Sequence, residues 1–500
     1  MSNYGSIPQK QPYLTKAEQD LLQSDRPGYG SRTKIEVAFN LVNATVGAGI
    51  IGLPFAIAHA GFFMGIIASI IVAVLAQVGL YMLIVSGQRV GIYKYALLVE
   101  YLLGRPGYYF LNFMICVQAG GGAVSYFILL GDSLPMLFQR YFPQYPILGD
   151  RTFVLIFIGI ACILPLNMAR SIGSLARWSI ISVACLPIIL LTILIRAPAY
   201  APKESIPLEW VGADVFGALG IMAFAFTCHQ VAFNNFLTLR DQSANGWRHT
   251  TTLSTSISWV ISMTFAIVGY LCFGSKVQSN LFMNFESDDP IINMGRFALG
   301  ISMILTIPMG IFPTREAIQK SLGFETATKQ PTNVQHYTVT FVLFFVILSL
   351  AVAVKSLGTV YSVVGGFSAT TLAYILPAAS YLVTRKDYYD HHHHIKTVSS
   401  SSSPNNIIIY PTLTGTSTLF NDETDVKSSL WEETNSIASS SRLFDDDVST
   451  VDGILDDTPI SMGDVDKALK PSWWLDIAAG LLIVWGLTVM IFSLSSALIG

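Results

Sequence analysis

The first stretch able to do chemistry is a run of small residues inside an apolar segment. It spans Asn43–Gly49, contains Thr45, Gly47 and Ala48, and is followed by Pro54. Each glycine costs a helix about 1 kcal/mol and a proline about 3 kcal/mol. In lipid, unpaired backbone groups are tolerated only where they line a cavity. The run therefore predicts a helix that unwinds at a binding site; the alternative is close helix packing through small residues.

A second stretch carries an ionisable side chain deep in an apolar run. It is Gly220–Gln230, which includes Phe226, Thr227, Cys228 and His229. An ionisable group at such depth is costly in a membrane and usually faces the interior of a helix bundle. We interpret His229 as a gating or proton-linked residue beside an interrupted helix. The alternative is a histidine that ties two helices together by hydrogen bonds.

Two interrupted segments at these positions are typical of an inverted repeat of five plus five helices. The N-terminus of a half-helix offers free N–H groups and a positive dipole end to an anion, and unwound carbonyl groups face a cation. An amino acid carries both a carboxylate and an ammonium group. We therefore expect the main chain to bind the invariant part of an amino acid and side chains to select its R group.

Other polar or small residues are weaker candidates. Gly120–Gly122 is interpreted as a helix-packing position, and Asp132 as a helix cap or a polar gate. Ser302 and Thr306, near Pro308, are candidate cation ligands or coupling residues, although such hydroxyls usually bond to their own backbone.

The composition indicates which elements must position these residues. Of the 500 residues, 52% are hydrophobic and 12% are charged, and the net charge is −3. So few charges cannot solvate a soluble surface, and no basic stripe suggests a nucleic-acid partner. No catalytic motif is present, so we expect neither an enzyme nor a cofactor. The five cysteines lie in apolar runs and are interpreted as small buried hydrophobic residues, not metal ligands or disulfides.

A bilayer core requires about 20 apolar helical residues, and this length predicts an all-α, polytopic membrane protein with about eleven spans. The predicted spans are Glu36–Ala58, Phe62–Val85, Tyr108–Leu134, Thr152–Leu166, Trp178–Ile195, Val211–Phe233, Leu253–Cys272, Met294–Phe312, Tyr337–Val354, Thr359–Val383 and Trp473–Leu498. The amphipathic segment Tyr93–Leu103 is predicted to lie in the membrane interface.

The Lys/Arg bias of the short loops predicts a cytosolic N-terminus. We divide the chain into a disordered cytosolic tail (1–35), a transmembrane core (36–385), a disordered, acidic, Ser-rich cytosolic loop (386–470) and a last span (471–500). The tail has no apolar signal core. The loop is too polar to order itself, and its run His391–His394 is interpreted as incidental rather than as a metal site.

The two interrupted segments also carry a family resemblance. The run Phe39–Pro54 resembles the first helix of the amino acid/auxin permease family, and Phe224–His229 resembles the sixth. Leu305–Pro308 and Ile311–Pro313 are similar to the eighth helix. Among the branches of this family, the chain most resembles the yeast vacuolar and the animal system A/N neutral amino-acid transporters.

This resemblance implies a leucine-transporter-type fold with a site between the first and sixth helices. The substrate carboxylate would meet the backbone near Gly47, Ala48 and Gly49, and its ammonium group the carbonyls near Phe226 and Thr227. Sodium-coupled members use an asparagine of the first helix, which Asn43 matches, whereas vacuolar members are proton-driven.

The leading hypothesis is proton-coupled transport of neutral amino acids by alternating access in a vacuolar membrane, with an amino acid and the lipid bilayer as partners. Na⁺ is the alternative coupling ion, and the plasma membrane is the alternative location. The rival hypothesis is an amino-acid sensor that signals through a cytosolic partner of the 386–470 loop. An ion channel is disfavoured because no filter motif is present.

Overall fold

The computed structural model describes residues 27–47, 49–169, 172–202, 206–325, 330–386 and 470–499, with the backbone alone for 172–180 and 499. Within these residues the fold is helical, and its one bridge between extended residues joins Arg32 to Leu239. The helices are α1 Lys34–Thr45, α2 Gly49–Ala60, α3 Phe62–Val90, α4 Tyr95–Tyr141, α5 Arg151–Ile158, α6 Leu164–Asn167, α7 Ile172–Tyr200, α8 Val215–Phe226, α9 Ala232–Thr238, α10 Ala244–Phe273, α11 Pro290–Ser321, α12 Asn333–Ala353, α13 Leu357–Val364 and α14 Trp473–Ile499.

The described residues contain nine helical segments long and apolar enough to cross a membrane, or ten if the bent pair α1 and α2 is one span. The predicted fourth span corresponds to Arg151–Asn167, a shorter apolar helix with a π-helical segment at Gly159–Ile163. The predicted all-α membrane fold is confirmed, whereas the count of eleven spans is not.

Helix α4 contains the predicted interfacial segment from Tyr95 onward and the whole predicted third span. Its backbone is non-helical at Gly104, where φ is 68° and ψ is −164°. The left-handed φ suits glycine, because a Cβ would be strained there. The kink separates the turns before Gly104 from the apolar helix after it, and the membrane-surface location of Tyr93–Leu103 stays a prediction.

The span after α12 is irregular. It begins as α13, continues through two π-helical segments, Gly365–Ala369 and Thr371–Ile375, and ends in a helix over residues 376–386. A π-helical turn leaves carbonyl groups available to other partners. The hydroxyl of Tyr95 donates to the carbonyl of Leu372 at 2.8 Å.

Helices α2 and α8 lie in the core. Ile50, Leu53, Ile221 and Met222 are at most 2% exposed and belong to the main hydrophobic cluster. The predicted tail and loop fall largely outside the described residues, as does the run His391–His394. Residues 27–33, assigned above to the tail, are described and pair with the segment after α9.

Candidate functional site

The first predicted helix is interrupted where its small residues cluster. Helix α1 begins with a capping box in which Thr33 Oγ1 accepts from the Glu36 amide at 3.3 Å. It ends at Thr45, and α2 starts at Gly49, bent from α1 by 63°. Pro54 lies inside α2, so the break occurs at the glycines and not at the proline. The predicted break in this helix is confirmed, the binding site at the break stays a prediction, and Ala48 lies outside the described residues.

The sixth predicted helix is interrupted as well. Helix α8 begins at its N-cap Asp214 and ends at Phe226, where Thr227 takes an extended conformation with φ −90° and ψ 117°. After Cys228, a short 3₁₀ turn, His229–Val231, leads into α9. The span predicted as Val211–Phe233 is therefore two half-helices.

The two breaks meet in space. A Cβ built on Gly49 would lie 2.7 Å from the Cα of Ala225, so α2 and α8 touch backbone to backbone. On the other side of the breaks, the Thr45 side chain lies close enough to the Cys228 thiol to interact with it electrostatically. The structure thus brings together the candidates Thr45, Gly49 and Cys228 from both stretches.

Half-helix ends supply the electrostatics of this junction. Helices α1 and α8 end here, and their last carbonyl groups form the negative ends of helix dipoles. Helix α2 begins here, with N–H groups and a positive dipole end. The hydroxyls of Thr45 and Thr227 donate to carbonyls of their own helices, Leu41 O at 2.7 Å and Ala223 O at 2.6 Å. The junction therefore offers complementary partial charges to a zwitterion.

Aromatic side chains surround the junction. A Cβ on Gly47 would lie 3.4 Å from the hydroxyl of Tyr126 on α4. Phe224 stacks on Tyr361 of α13, with ring centroids 4.9 Å apart. A Cβ on Gly52 would lie 2.7 Å from the Tyr361 ring. These neighbours carry no formal charge at neutral pH, which suits an uncharged R group.

His229 is fully buried, with 0% of its surface exposed. Its Nε2 lies 3.1 Å from the carbonyl oxygen of Ala76 on α3, and its Nδ1 has no hydrogen-bond partner. A Cβ on Gly79 would lie 2.9 Å from that Nε2. His229 thus faces the interior, as expected, and makes the interhelical bond of the structural alternative; its proton-linked role stays a hypothesis.

The hydroxyls of Ser302 and Thr306 form a cluster with Ser182 of α7. Ser182 Oγ lies 2.9 Å from Ser302 Oγ and 2.6 Å from Thr306 Oγ1. The Thr306 hydroxyl also donates to the Ser302 carbonyl at 2.7 Å. Asn43, the other predicted coupling residue, is exposed on α1. Three hydroxyl oxygens therefore converge between α7 and α11.

Two weaker candidates, Gly121 and Asp132, contact neighbouring elements of the fold, and the gating role of Asp132 stays a prediction. A Cβ on Gly121 would lie 3.0 Å from Cγ1 of Val364, which agrees with helix packing. Asp132 does not cap α4, because the helix continues to Tyr141. Its carboxylate instead lies 3.4 Å from Arg151 Nε and 3.4 Å from Asn280 Nδ2.

The cysteines are less uniform than predicted. Cys185, Cys228 and Cys272 are buried, but Cys116 is half-buried and Cys162 is exposed, because it faces outward from the π-helical segment after α5. All five thiols are free. In the part of the chain that is described, no three His, Cys, Asp or Glu side chains form a metal-binding group.

Sequence reasoning missed three residues at the site: Tyr126, Tyr361 and Ser182. Tyr126 follows the Gly120–Gly122 run by four positions, so it falls on the same helix face as Gly122. Tyr361 has no local signal, because an aromatic residue in an apolar span is ordinary. Ser182 is recognisable only through its partners on α11.

A family match covers both breaks. The family described as transmembrane amino acid transporter protein matches residues 30–394. "Putative sodium-coupled neutral amino acid transporter 11" of Danio rerio is 32% identical over 372 residues, 72% of this chain and 82% of the relative. "Vacuolar amino acid transporter 2" of Saccharomyces cerevisiae is 28% identical over 371 residues, 69% of this chain and 75% of the relative. A solved Na⁺-coupled sialic acid symporter, substrate-bound and outward-open, is similar with TM-score 0.44 and 13% identity, over 74% of this chain and 85% of that one.

Proposed function

The chain belongs to the transmembrane amino acid transporter protein family, and we propose that it carries neutral amino acids by proton-coupled alternating access across a vacuolar-type membrane. It is a multi-pass membrane protein and a secondary transporter of amino acids rather than an enzyme. The neutral substrate, the coupling ion, the location and the cytosolic N-terminus belong to the proposal, as does the five-plus-five inverted repeat.

The observation that carries the proposal is the contact between the two helix breaks. Helices α1 and α8 end and helix α2 begins at one point, where Gly49 packs against Ala225 and Thr45 lies near Cys228. The substrate carboxylate would bind the N–H groups at the start of α2. Its ammonium group would bind carbonyls at the end of α8.

The selection of a neutral R group rests on the surroundings of the junction. Tyr126, Phe224 and Tyr361 present rings and one hydroxyl near the breaks. An acidic or basic R group would leave a charge without a partner there, at a cost of several kcal/mol. The relatives named as neutral amino acid transporters support this proposal.

The choice of proton over sodium rests on two features. His229 is an ionisable group at the second break, and one relative is named as vacuolar. One pH unit supplies about 1.4 kcal/mol per proton, and a membrane potential adds about 2.3 kcal/mol per 100 mV. Sodium is favoured instead by the hydroxyl cluster of Ser182, Ser302 and Thr306 and by the names of several relatives.

The test is transport in reconstituted vesicles with proton and sodium gradients imposed separately. We expect uptake of labelled neutral amino acids that follows the pH gradient and does not require sodium. Flux that requires sodium and ignores pH would reject proton coupling, and Thr306→Ala should then abolish it. The absence of gradient-dependent flux for any amino acid would contradict the whole proposal.

A cytosolic partner of the 386–470 loop, and with it the sensor function, is the second candidate. The ends of the loop are held together: Arg385 pairs with Asp476 at 3.0 Å, and the Ser472 amide donates to the Tyr381 hydroxyl at 3.4 Å. Deletion of residues 399–466 should therefore leave the core folded. Unchanged transport without any loss of signalling would reject the sensor.

A further inference from the structure

The segment before α1 is bound to the segment after α9. The Arg32 amide donates to the Thr238 carbonyl at 2.9 Å, and the Arg240 amide donates to the Arg32 carbonyl at 2.8 Å. This pairing forms a parallel bridge between Arg32 and Leu239. We call residues 28–34 together with residues 238–242 the inner strap.

Side chains reinforce the inner strap on both sides of the bridge. Lys34 Nζ lies 2.7 Å from Asp241 Oδ2. The Gly28 amide donates to Gln242 Oε1 at 2.7 Å, and Gln242 Nε2 donates back to the Leu237 carbonyl at 2.8 Å. The contact is close, because a Cβ on Gly30 would lie 2.6 Å from the carbonyl carbon of Leu239.

The charge of Asp241 persists at neutral pH. Burial alone would raise the pKa of this carboxyl, but hydrogen bonds from Lys34 and Ser243 outweigh burial and hold its pKa below the ordinary value. The lowered pKa of Asp241 therefore agrees with an ion pair of opposite charges between Asp241 and Lys34.

The inner strap is continuous with two half-helices of the candidate site. Lys34 is the first residue of α1, and Thr238 is the last residue of α9. The same two helices share a buried apolar cluster that includes Val37, Leu41, Phe233 and Phe236. Helices α1 and α9 are thus joined by backbone hydrogen bonds at their ends, and both contribute side chains to one buried apolar cluster.

The free face of α1 points away from this joint. Asn40, Asn43 and Ala44 are exposed, whereas Val37 and Leu41 are buried. Asn234 is exposed on α9 in the same way. A movement of α1 that kept the strap intact would carry α9 with it, since a helix of hydrogen-bonded backbone transmits displacement from its end.

We propose that the inner strap makes α1 and α9 move as one body when the site opens and closes on this side of the membrane, with Lys34 and Asp241 as its positioning residues. The inference rests on the proposed alternating access. It adds to that function a definite mechanical unit, made of residues more than two hundred positions apart in the chain, such as Gly28 and Gln242.

The test follows two reporters, Ala44→Cys on α1 and Asn234→Cys on α9, each in the otherwise intact full-length chain. Each reporter is labelled with a membrane-impermeant maleimide, with and without a saturating transported amino acid. The labelling rate of the parent chain, which lacks the reporter, is subtracted. With the strap intact, we expect the substrate to change both rates by the same factor, within about twofold. With Lys34→Asp or Gly30→Ala, the two factors should diverge at least threefold.

The design includes a rescue and matched controls. The double variant Lys34→Asp with Asp241→Lys keeps opposite charges together and should restore parallel labelling. Arg105→Ala removes a comparable but more exposed ion pair with Glu100, and Gly480→Ala adds a methyl group where no atom lies within 4 Å. Both controls should behave as the parent does.

Three results would overturn the inference. The first is that the substrate changes the two labelling rates by unequal factors while the strap is intact. The second is that the factors stay equal in both Lys34→Asp and Gly30→Ala, and the third is that the charge-reversed double variant behaves like Lys34→Asp. If no amino acid is transported, and none changes the labelling rate of either reporter, the proposed function itself fails. If an amino acid is transported but the strap variants do not change the labelling pattern, only the role of the strap is rejected.

Discussion

The backbones of Gly49 and Ala225 are in direct contact: a Cβ on Gly49 would lie 2.7 Å from the Cα of Ala225 and 2.9 Å from its Cβ. Gly49 is the first residue of α2, and Ala225 is the last but one of α8. Their contact therefore sets the distance between the two breaks. A backbone contact leaves no flexible side chain to move aside.

Gly49→Ala should therefore impair transport. The added methyl group must separate α2 from α8, and overpacking of this kind costs about 1–3 kcal/mol. We expect uptake to fall roughly tenfold, the equivalent of about 1.4 kcal/mol, at normal expression. Gly480→Ala is the control, since nothing lies within 4 Å of that position. Equal uptake in both variants would mean that the two breaks tolerate separation.

Replacement of His229 should separate its two roles. His229→Gln keeps a hydrogen-bond donor for the Ala76 carbonyl but cannot titrate, whereas His229→Ala loses both properties. We expect the Gln variant to transport measurably with a flat dependence on pH between about pH 5 and 7.5. We expect the Ala variant to be nearly inactive. A Gln variant that retained the parental pH profile would leave His229 as a structural tie alone.

Transport should be sensitive to a larger side chain at Ser493 of the last helix, α14, and insensitive to one at Ser495. Ser493 is fully buried and donates to the Ser362 carbonyl at 3.1 Å. A Cβ on Gly366 would lie 2.8 Å from the Ser493 Cβ, and a Cβ on Gly220 would meet the Ser493 hydroxyl oxygen. Ser493→Leu should push α14 from α8 and α13 and cut uptake several-fold. Ser495→Leu, at an exposed position, should not.

The ion pair between Asp289 and Arg196 should keep its contribution to stability in mild acid. Burial would raise the pKa of Asp289, but the Arg196 guanidinium at 2.6 Å, the Ile292 amide and the Tyr200 hydroxyl outweigh burial and lower it. A lowered pKa means that this stabilisation is complete above the unfolded value, about pH 4, and is lost only as pH falls through the folded value. The contribution should therefore be equal at pH 5 and pH 7.

The variant Asp289→Asn tests the contribution of this ion pair. Asparagine still caps a helix, so the variant removes mainly the charge, at a cost of roughly 1.5–3 kcal/mol for hydrogen bonds to a charged group. The thermal unfolding midpoint of purified protein should drop by the same amount at both pH values. Asp288→Asn, at the exposed neighbouring residue, should leave the midpoint unchanged. A loss at pH 7 that vanished at pH 5 would contradict the lowered pKa.

Much of this protein was predictable because its causes are local. The membrane spans were predicted from apolar segments as long as a bilayer-spanning helix. The break near Gly47 follows from glycine's poor helix propensity. The break near Thr227 was located through His229, which an apolar helix would not otherwise carry. The span count was less secure, because the Arg151–Asn167 segment is short and contains a π-helical turn.

Tertiary structure decided which of these residues meet. Ser182 and Ser302 are 120 positions apart and share a hydrogen bond, and neither residue has a local feature that identifies the other. The same holds for Arg32 with Leu239 and for Tyr126 beside Gly47. By itself the sequence determined where helices form and where they break, because hydropathy and backbone propensity act over a few residues. The pairing of the breaks, the inner strap and the aromatic side chains around the junction depend on how whole helices pack, and that packing is set by many contacts between distant parts of the chain.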